Sequence, residues 1–85
     1  MYTIQYQSKV VETILPAIPA RNARQILAAI GERLAVDPVG LGKPLQHGLK
    51  GYKRLRVGDW RVIYRMDGRN LIICDIVLRR DAYGE

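Results

Sequence analysis

The sequence contains no phenylalanine and only one cysteine, one histidine and one tryptophan in 85 residues. A lone Cys74 excludes an internal disulfide and any cysteine-based zinc cluster. It lies in an apolar run and reads as a small buried hydrophobe. His47, in a Gly/Gln loop, cannot build a metal site alone and reads as solvated. No metal and no cofactor is therefore expected. No run approaches eighteen consecutive apolar residues, and the first residues lack the charged and apolar parts of a secretory signal. A cytoplasmic location with no membrane partner is the expectation. Internal repeats and low-complexity tracts are absent too.

What remains is an ordinary globular composition, 48% hydrophobic and 26% charged, in a chain sized for one domain over residues 1–85. A chain this short buries about 60–65% of its unfolded surface, which suits one layer of helix on one sheet. The charge is uneven. Fourteen Lys+Arg stand against eight Asp+Glu, a net of +6. Residues 1–49 contribute +2 and residues 50–85 contribute +4. Most of the cations are arginine, which suits bidentate phosphate recognition. A pI near 9.9 favours nucleic acid or an acidic protein as partner.

Tyr2, Ile4 and Tyr6 alternate with Thr3, Gln5 and Gln7, which predicts a first strand with one buried face. Ser8 offers an N-cap to a short helix carrying Val11, Ile14, Leu15 and Ile18 at helical spacing, disturbed by Pro16. Pro19 opens a longer helix whose stripe is Ala23, Ile26, Leu27, Ile30 and Leu34; Asp37-Pro38 ends it. Residues 39–51 are glycine-rich and read as a connector anchored by Leu45 and Leu49. Its Gly42-Lys43-Pro44-Leu45 lacks the first glycine and the Ser/Thr of a phosphate loop. Three strands follow, about 52–57, 60–66 and 71–78, turned by Gly58-Asp59 and Asp67-Gly68. The last is nearly all apolar and reads as a central strand covered on both faces.

The chemistry concentrates in the Gly51–Arg65 hairpin. Tyr52, Arg54 and Arg56 share one face of their strand; Lys53, Leu55 and Val57 share the other. On the next strand Arg61, Ile63 and Arg65 oppose Trp60, Val62, Tyr64 and Met66, the latter group reading as core. Across a tight turn the two arginine-bearing faces align, with Arg79 and Arg80 at the end of the last strand. Arg65 and Arg69 read as solvated strand residues. Tyr83, in a polar tail, either stacks on a base or clamps the sheet edge.

A convergent cationic face binds phosphates, with affinity that falls as salt rises. It can also support metal-free phosphodiester cleavage in RNA, in which the 2′-hydroxyl attacks the adjacent phosphorus. Fixed guanidinium groups stabilise charge on the phosphorane-like oxygens. They transfer protons poorly. Lys53 would serve better as a base if neighbouring cations lowered its pKa. Strand parity puts it on the face opposite Arg54 and Arg56, so a bulge or twist would be needed to bring it in.

The segments Gly42-Lys43-Pro44-Leu45, Leu49-Lys50-Gly51-Tyr52, Leu55-Arg56-Val57-Gly58-Asp59-Trp60-Arg61-Val62-Ile63-Tyr64 and Arg79-Arg80-Asp81-Ala82-Tyr83 together resemble the RelE/ParE superfamily of bacterial toxins. The resemblance spans essentially the whole chain. It implies an α+β RelE-like fold: an N-terminal strand, a two-helix hairpin, then three antiparallel strands, giving a four-stranded sheet. It also implies the toxin of a type II toxin-antitoxin system, on the RelE-like branch. Toxins of that branch are ribosome-dependent, metal-independent endoribonucleases (mRNA interferases). The ParE-like alternative is a DNA gyrase inhibitor without nuclease activity, and a catalytically weak RNA-binding relative is a third reading. The implied partners are a RelB-like antitoxin, the ribosome and mRNA, with a toxin-antitoxin heterotetramer binding operator DNA. By resemblance the catalytic set is Arg54, Arg56, Arg61, Arg79 and Tyr83, with Lys50, Lys53 and Arg80 as RNA-binding residues. Arg61 matches the arginine that stabilises the transition state. Arg79, or Arg80 after a one-residue shift, matches the general acid, and Tyr83 matches the base-stacking tyrosine. Whether Lys53 or Arg54 takes the general-base position stays open, because the segment between Tyr52 and Arg61 is one residue short of the best-known pattern. Leu78 stands where many relatives have histidine, and no glutamate matches the branch that uses a Glu/His pair.

Overall fold

The apolar run Leu71-Ile72-Ile73-Cys74 leaves no polar face to present to water, so its strand has to lie inside a sheet. The computed structural model, which describes residues 2–44 and 51–78, places it there. In chain order the elements are β1 (Thr3–Tyr6), α1 (π-helical Val10–Ile14 continued by α-helical Leu15–Ala17), α2 (α-helical Ala20–Ala29 continued by π-helical Ile30–Leu34), α3 (Pro38–Leu41), β2 (Lys43–Pro44), β3 (Tyr52–Val57), β4 (Trp60–Asp67) and β5 (Asn70–Leu78). The sheet order is β1-β5-β4-β3-β2, with β1 parallel to β5 and the other pairs antiparallel. The α+β fold is the expected one. The sheet has five strands rather than four, because Lys43 and Pro44 pair with Arg54 and Lys53 as an extra edge strand. Proline is tolerated there because an edge residue need not donate to the ladder.

One face of the sheet packs on the helices. Val10, Ile18, Ile26, Ile30 and Leu34 meet Leu55, Val57, Val62, Tyr64, Leu71, Ile73 and Ile76 in a single buried cluster. Each large aliphatic side chain buried there contributes about 1.5–3 kcal/mol. Ile72 and Cys74 are buried as well, outside that cluster, so β5 is covered on both faces as its sequence requires. Leu27 departs from the expected stripe and is exposed. In a regular helix an i, i+4 series drifts by about 40° per step. The wider π-turn over Ile30–Leu34, closed by the Ala35 N–H on the Ile30 carbonyl at 2.9 Å, turns the series back. Ile26, Ile30 and Leu34 then share one line and Leu27 falls outside it.

Ser8 is itself helical, just ahead of α1, rather than capping it. The turn opens instead on the Gln7 carbonyl, which accepts from the Val10 N–H at 2.9 Å. The π-turn of α1 sits just before Pro16, whose ring would clash with the Glu12 carbonyl in a regular α-turn. Both hairpin loops are two residues long. Gly58 begins the first at φ +61°, a left-handed conformation that other residues adopt at a cost. The second is Gly68-Arg69, one residue later than expected, because Asp67 still pairs with Asn70. Lys50, Arg79, Arg80 and Tyr83, together with His47, Leu45 and Leu49, lie outside the described residues.

Candidate functional site

The β3–β4 register is unbroken, pairing Arg54 with Ile63 and Arg56 with Arg61. Residues directly opposite in an antiparallel pair share a face with Cβ atoms about 4.5–5.5 Å apart. Arg54, Arg56 and Arg61 therefore share the face turned away from the helices. Lys43, opposite Arg54 on β2, joins them. These four cations line a notch of about 280 Å³ together with Arg33 from the end of α2. Leu41 and Leu55 supply its apolar lining. The notch lies along the β3 edge, where the two-residue β2 covers only part of the strand. Among the described residues no carboxylate lines it.

The depths differ. Arg61 is 7% exposed, the charged residue buried in the interior of β4. Arg54 is half-buried and donates from Nη1 to the Pro44 carbonyl at 2.6 Å, which ties β3 to β2. Arg56 is exposed, with a long contact of 3.4 Å from Nε to the Gly58 carbonyl. The floor is thus a fixed guanidinium, and the rim is more adaptable.

Lys53 does not join this cluster. It pairs with Tyr64 on the helix-side face, and its Nζ donates to the Val39 carbonyl at 3.0 Å. The sheet does contain a bulge, but it lies between β4 and β5 at Ile63/Tyr64 and leaves the parity of β3 untouched. Lys53 thus lies where strand parity puts it, on the face opposite Arg54 and Arg56, and Arg54 lines the notch. Arg65 turns elsewhere too: its charge acts on the Cys74 thiol. Burial pushes that thiol up, and Arg65 and Lys9 act against the rise.

The stretch read as a connector contains the device that holds the rim. Asp37 caps α3, its Oδ1 accepting from the Gly40 N–H at 2.9 Å, and Pro38 takes the first helical position. The buried Tyr64 hydroxyl donates to the Pro38 carbonyl at 2.6 Å, and the Gly42 backbone packs against it. The cross-strand neighbours Tyr64 and Lys53 thus tie the first turn of α3 to the sheet, through the Pro38 and Val39 carbonyls. Asp37 followed by Pro38, an N-cap residue and a first helical proline, was the available signal for α3. Nothing local to Arg33 announced its place in the notch.

Burial pushes the Tyr64 hydroxyl up to about 12 from 10.0; the Gly42 N–H opposes the rise and the charge on Asp37 adds to it. A raised folded-state pKa gives stability that is fully present below the unfolded value. It is lost as pH rises from about 10 through about 12, because the unfolded chain ionises first. We expect wild type to lose about 2–3 kcal/mol over that range through this group. Tyr64→Phe should start about 1–3 kcal/mol less stable at neutral pH and lack this component of the slope. Urea titrations of both proteins from pH 7 to 12 measure the difference, and parallel pH curves would contradict it.

Among the described residues no group of three or more His, Cys, Asp or Glu is placed to hold a metal, and no helix is long and apolar enough to cross a membrane. A family model described as the ParE toxin of the type II toxin-antitoxin system, parDE, matches residues 4–83. Toxin RelE of Mycobacterium tuberculosis (strain ATCC 25618 / H37Rv) is 33% identical over 69 residues, spanning 80% of this chain and 71% of that protein. The crystal structure of the toxin-antitoxin complex RelBE2 from the same species superimposes with a TM-score of 0.83 at 26% identity, covering 92% of this chain and 98% of that one. The archaeal RelE-RelB complex from Pyrococcus horikoshii OT3 gives 0.72 at 26% identity, covering 95% and 98%.

Proposed function

The chain belongs to the RelE/ParE toxin superfamily of type II toxin-antitoxin systems, and on that footing we propose that it is a ribosome-dependent endoribonuclease that cuts messenger RNA without a metal ion. The observation that carries the reading is the shared face of Arg54, Arg56 and Arg61, with Arg56 directly opposite a buried Arg61. In the reaction the 2′-hydroxyl gives its proton to solvent water, the 2′-oxygen forms a bond to phosphorus and the bond from phosphorus to the 5′-oxygen breaks. The products are a 2′,3′-cyclic phosphate and a 5′-hydroxyl end. Arg61 from below and Arg54 and Arg56 from the sides neutralise the charge that builds on the non-bridging oxygens. Arg79 protonates the leaving oxygen and Tyr83 stacks on the substrate base.

With Lys53 on the other face, proton uptake is the weak part of this site, since guanidinium groups accept protons poorly. Orientation must then supply much of the rate, and aligned reactants gain several orders of magnitude. A message held in line by the ribosome provides that alignment, which accounts for the proposed ribosome dependence. A RelB-like antitoxin is the proposed partner, assembling with the toxin into a heterotetramer that binds operator DNA. Val39 and Leu41 are exposed on α3, and Leu41 also lines the notch. A partner seated on them would cover the cations.

Gyrase inhibition is the alternative reading; the family model carries a ParE description, but the RelE relatives at 26–33% identity do not favour it. Purified toxin should cut a defined message when ribosomes translate it and leave the naked message and gyrase supercoiling unaffected. Inhibited supercoiling with an intact message would move the assignment to gyrase. Cuts that leave 5′-phosphate ends would contradict the 2′-hydroxyl mechanism.

A further inference from the structure

We propose that Arg33 and Lys43 hold a second backbone phosphate, next in the RNA chain to the one over Arg54, Arg56 and Arg61. The inference rests on the ribonuclease reading and specifies how its substrate is gripped. A phosphodiester offers two non-bridging oxygens, and each guanidinium carries five N–H donors. Arg54, Arg56 and Arg61 already exceed what one phosphate can accept, even with Arg54 sharing a donor with the Pro44 carbonyl. Arg33 and Lys43 line the same notch yet come from other elements, the last turn of α2 and the edge strand β2. Both are exposed, whereas Arg61 forms the floor. The cations therefore run from the floor outward over the β3 edge. Leu41, exposed in the same lining, offers apolar surface for the sugar between two phosphates. A volume of about 280 Å³ is larger than one phosphate group needs.

Like charges on facing strand positions destabilise a sheet, and no carboxylate among the described residues lines the notch to offset them. A chain of regularly spaced phosphates does offset them.

The test uses the full-length toxin and cleavage-inert 2′-O-methyl oligoribonucleotides with one, two or three phosphodiesters, titrated by NMR at several salt concentrations. For wild type the second phosphodiester should tighten binding about tenfold. It should also steepen the salt dependence by about 0.7 in logarithmic slope, the increment for one phosphate on a single strand. In the Arg33→Ala, Lys43→Ala double variant that gain should shrink to within about twofold of none. The charge-conserving Arg33→Lys, Lys43→Arg pair should retain most of it, and thermal melting checks that both are folded. The inference is overturned if wild type shows no step between one and two phosphodiesters, or if the alanine pair shows the full step. Cleavage plays no part in the readout. A chain that cuts no message yet shows the step would sink the nuclease reading alone, and an active nuclease without the step would sink this inference alone.

Discussion

Arg61→Ala is expected to lower ribosome-dependent cleavage by about 10²–10³-fold, the usual loss when one preorganised donor to a developing oxyanion is removed. Arg61 is the buried member of the cluster, held on β4 between Val62 and Trp60 with Arg56 opposite. A buried guanidinium has few alternative positions, so its charge and donors are aimed before substrate arrives. Arg61→Lys keeps a charge but loses the planar fork, and should fall between alanine and wild type. Thermal melting separates a chemical loss from a folding loss, since the alanine variant also leaves a cavity in the sheet. Cleavage within about threefold of wild type in a folded Arg61→Ala protein would remove Arg61 from the mechanism.

Gly42→Ala should be the most damaging glycine-to-alanine change among the described residues, at about 1–3 kcal/mol or more. The Gly42 backbone is extended, at φ −81° and ψ 151°, so conformation is not the obstacle. A Cβ built there would fall on the Tyr64 hydroxyl and crowd its ring. The tyrosine would have to move, giving up the bond to the Pro38 carbonyl that holds α3. For a domain of this size each kcal/mol moves the melting temperature by about 4–8 °C. The same change in a Tyr64→Phe background should cost less, because the worst contact is gone. Denaturant titrations of the four proteins give the coupling. Additive losses would show that Gly42 and Tyr64 do not act on each other as the packing implies.

Much of this was legible in the residue pattern. Alternation alone placed Arg54, Arg56 and Arg61 on one face and Lys53 on the other, because the period of a strand is two and β3 has no bulge. The apolar run placed β5 in the sheet interior for the same kind of reason. The connector was harder. α3 and β2 are too short to show a period, and they are fixed by Tyr64 and Arg54, which lie far away in sequence. Leu27 was misplaced because a π-turn changes the helical period without leaving a mark in composition. Arg33 was missed because its role depends on how the end of α2 meets the β3 edge. Lys43 was read against a phosphate-loop template, whereas its significance lies in its register opposite Arg54.

The central claim is that the notch acts on messenger RNA at the ribosome. Inducing the chain without antitoxin and mapping messenger 5′ ends across the transcriptome tests it most directly. New ends phased to codons within translated regions, and lost with Arg61→Ala, are the predicted result. Intact messages accompanied by supercoiling defects and DNA breaks would contradict it.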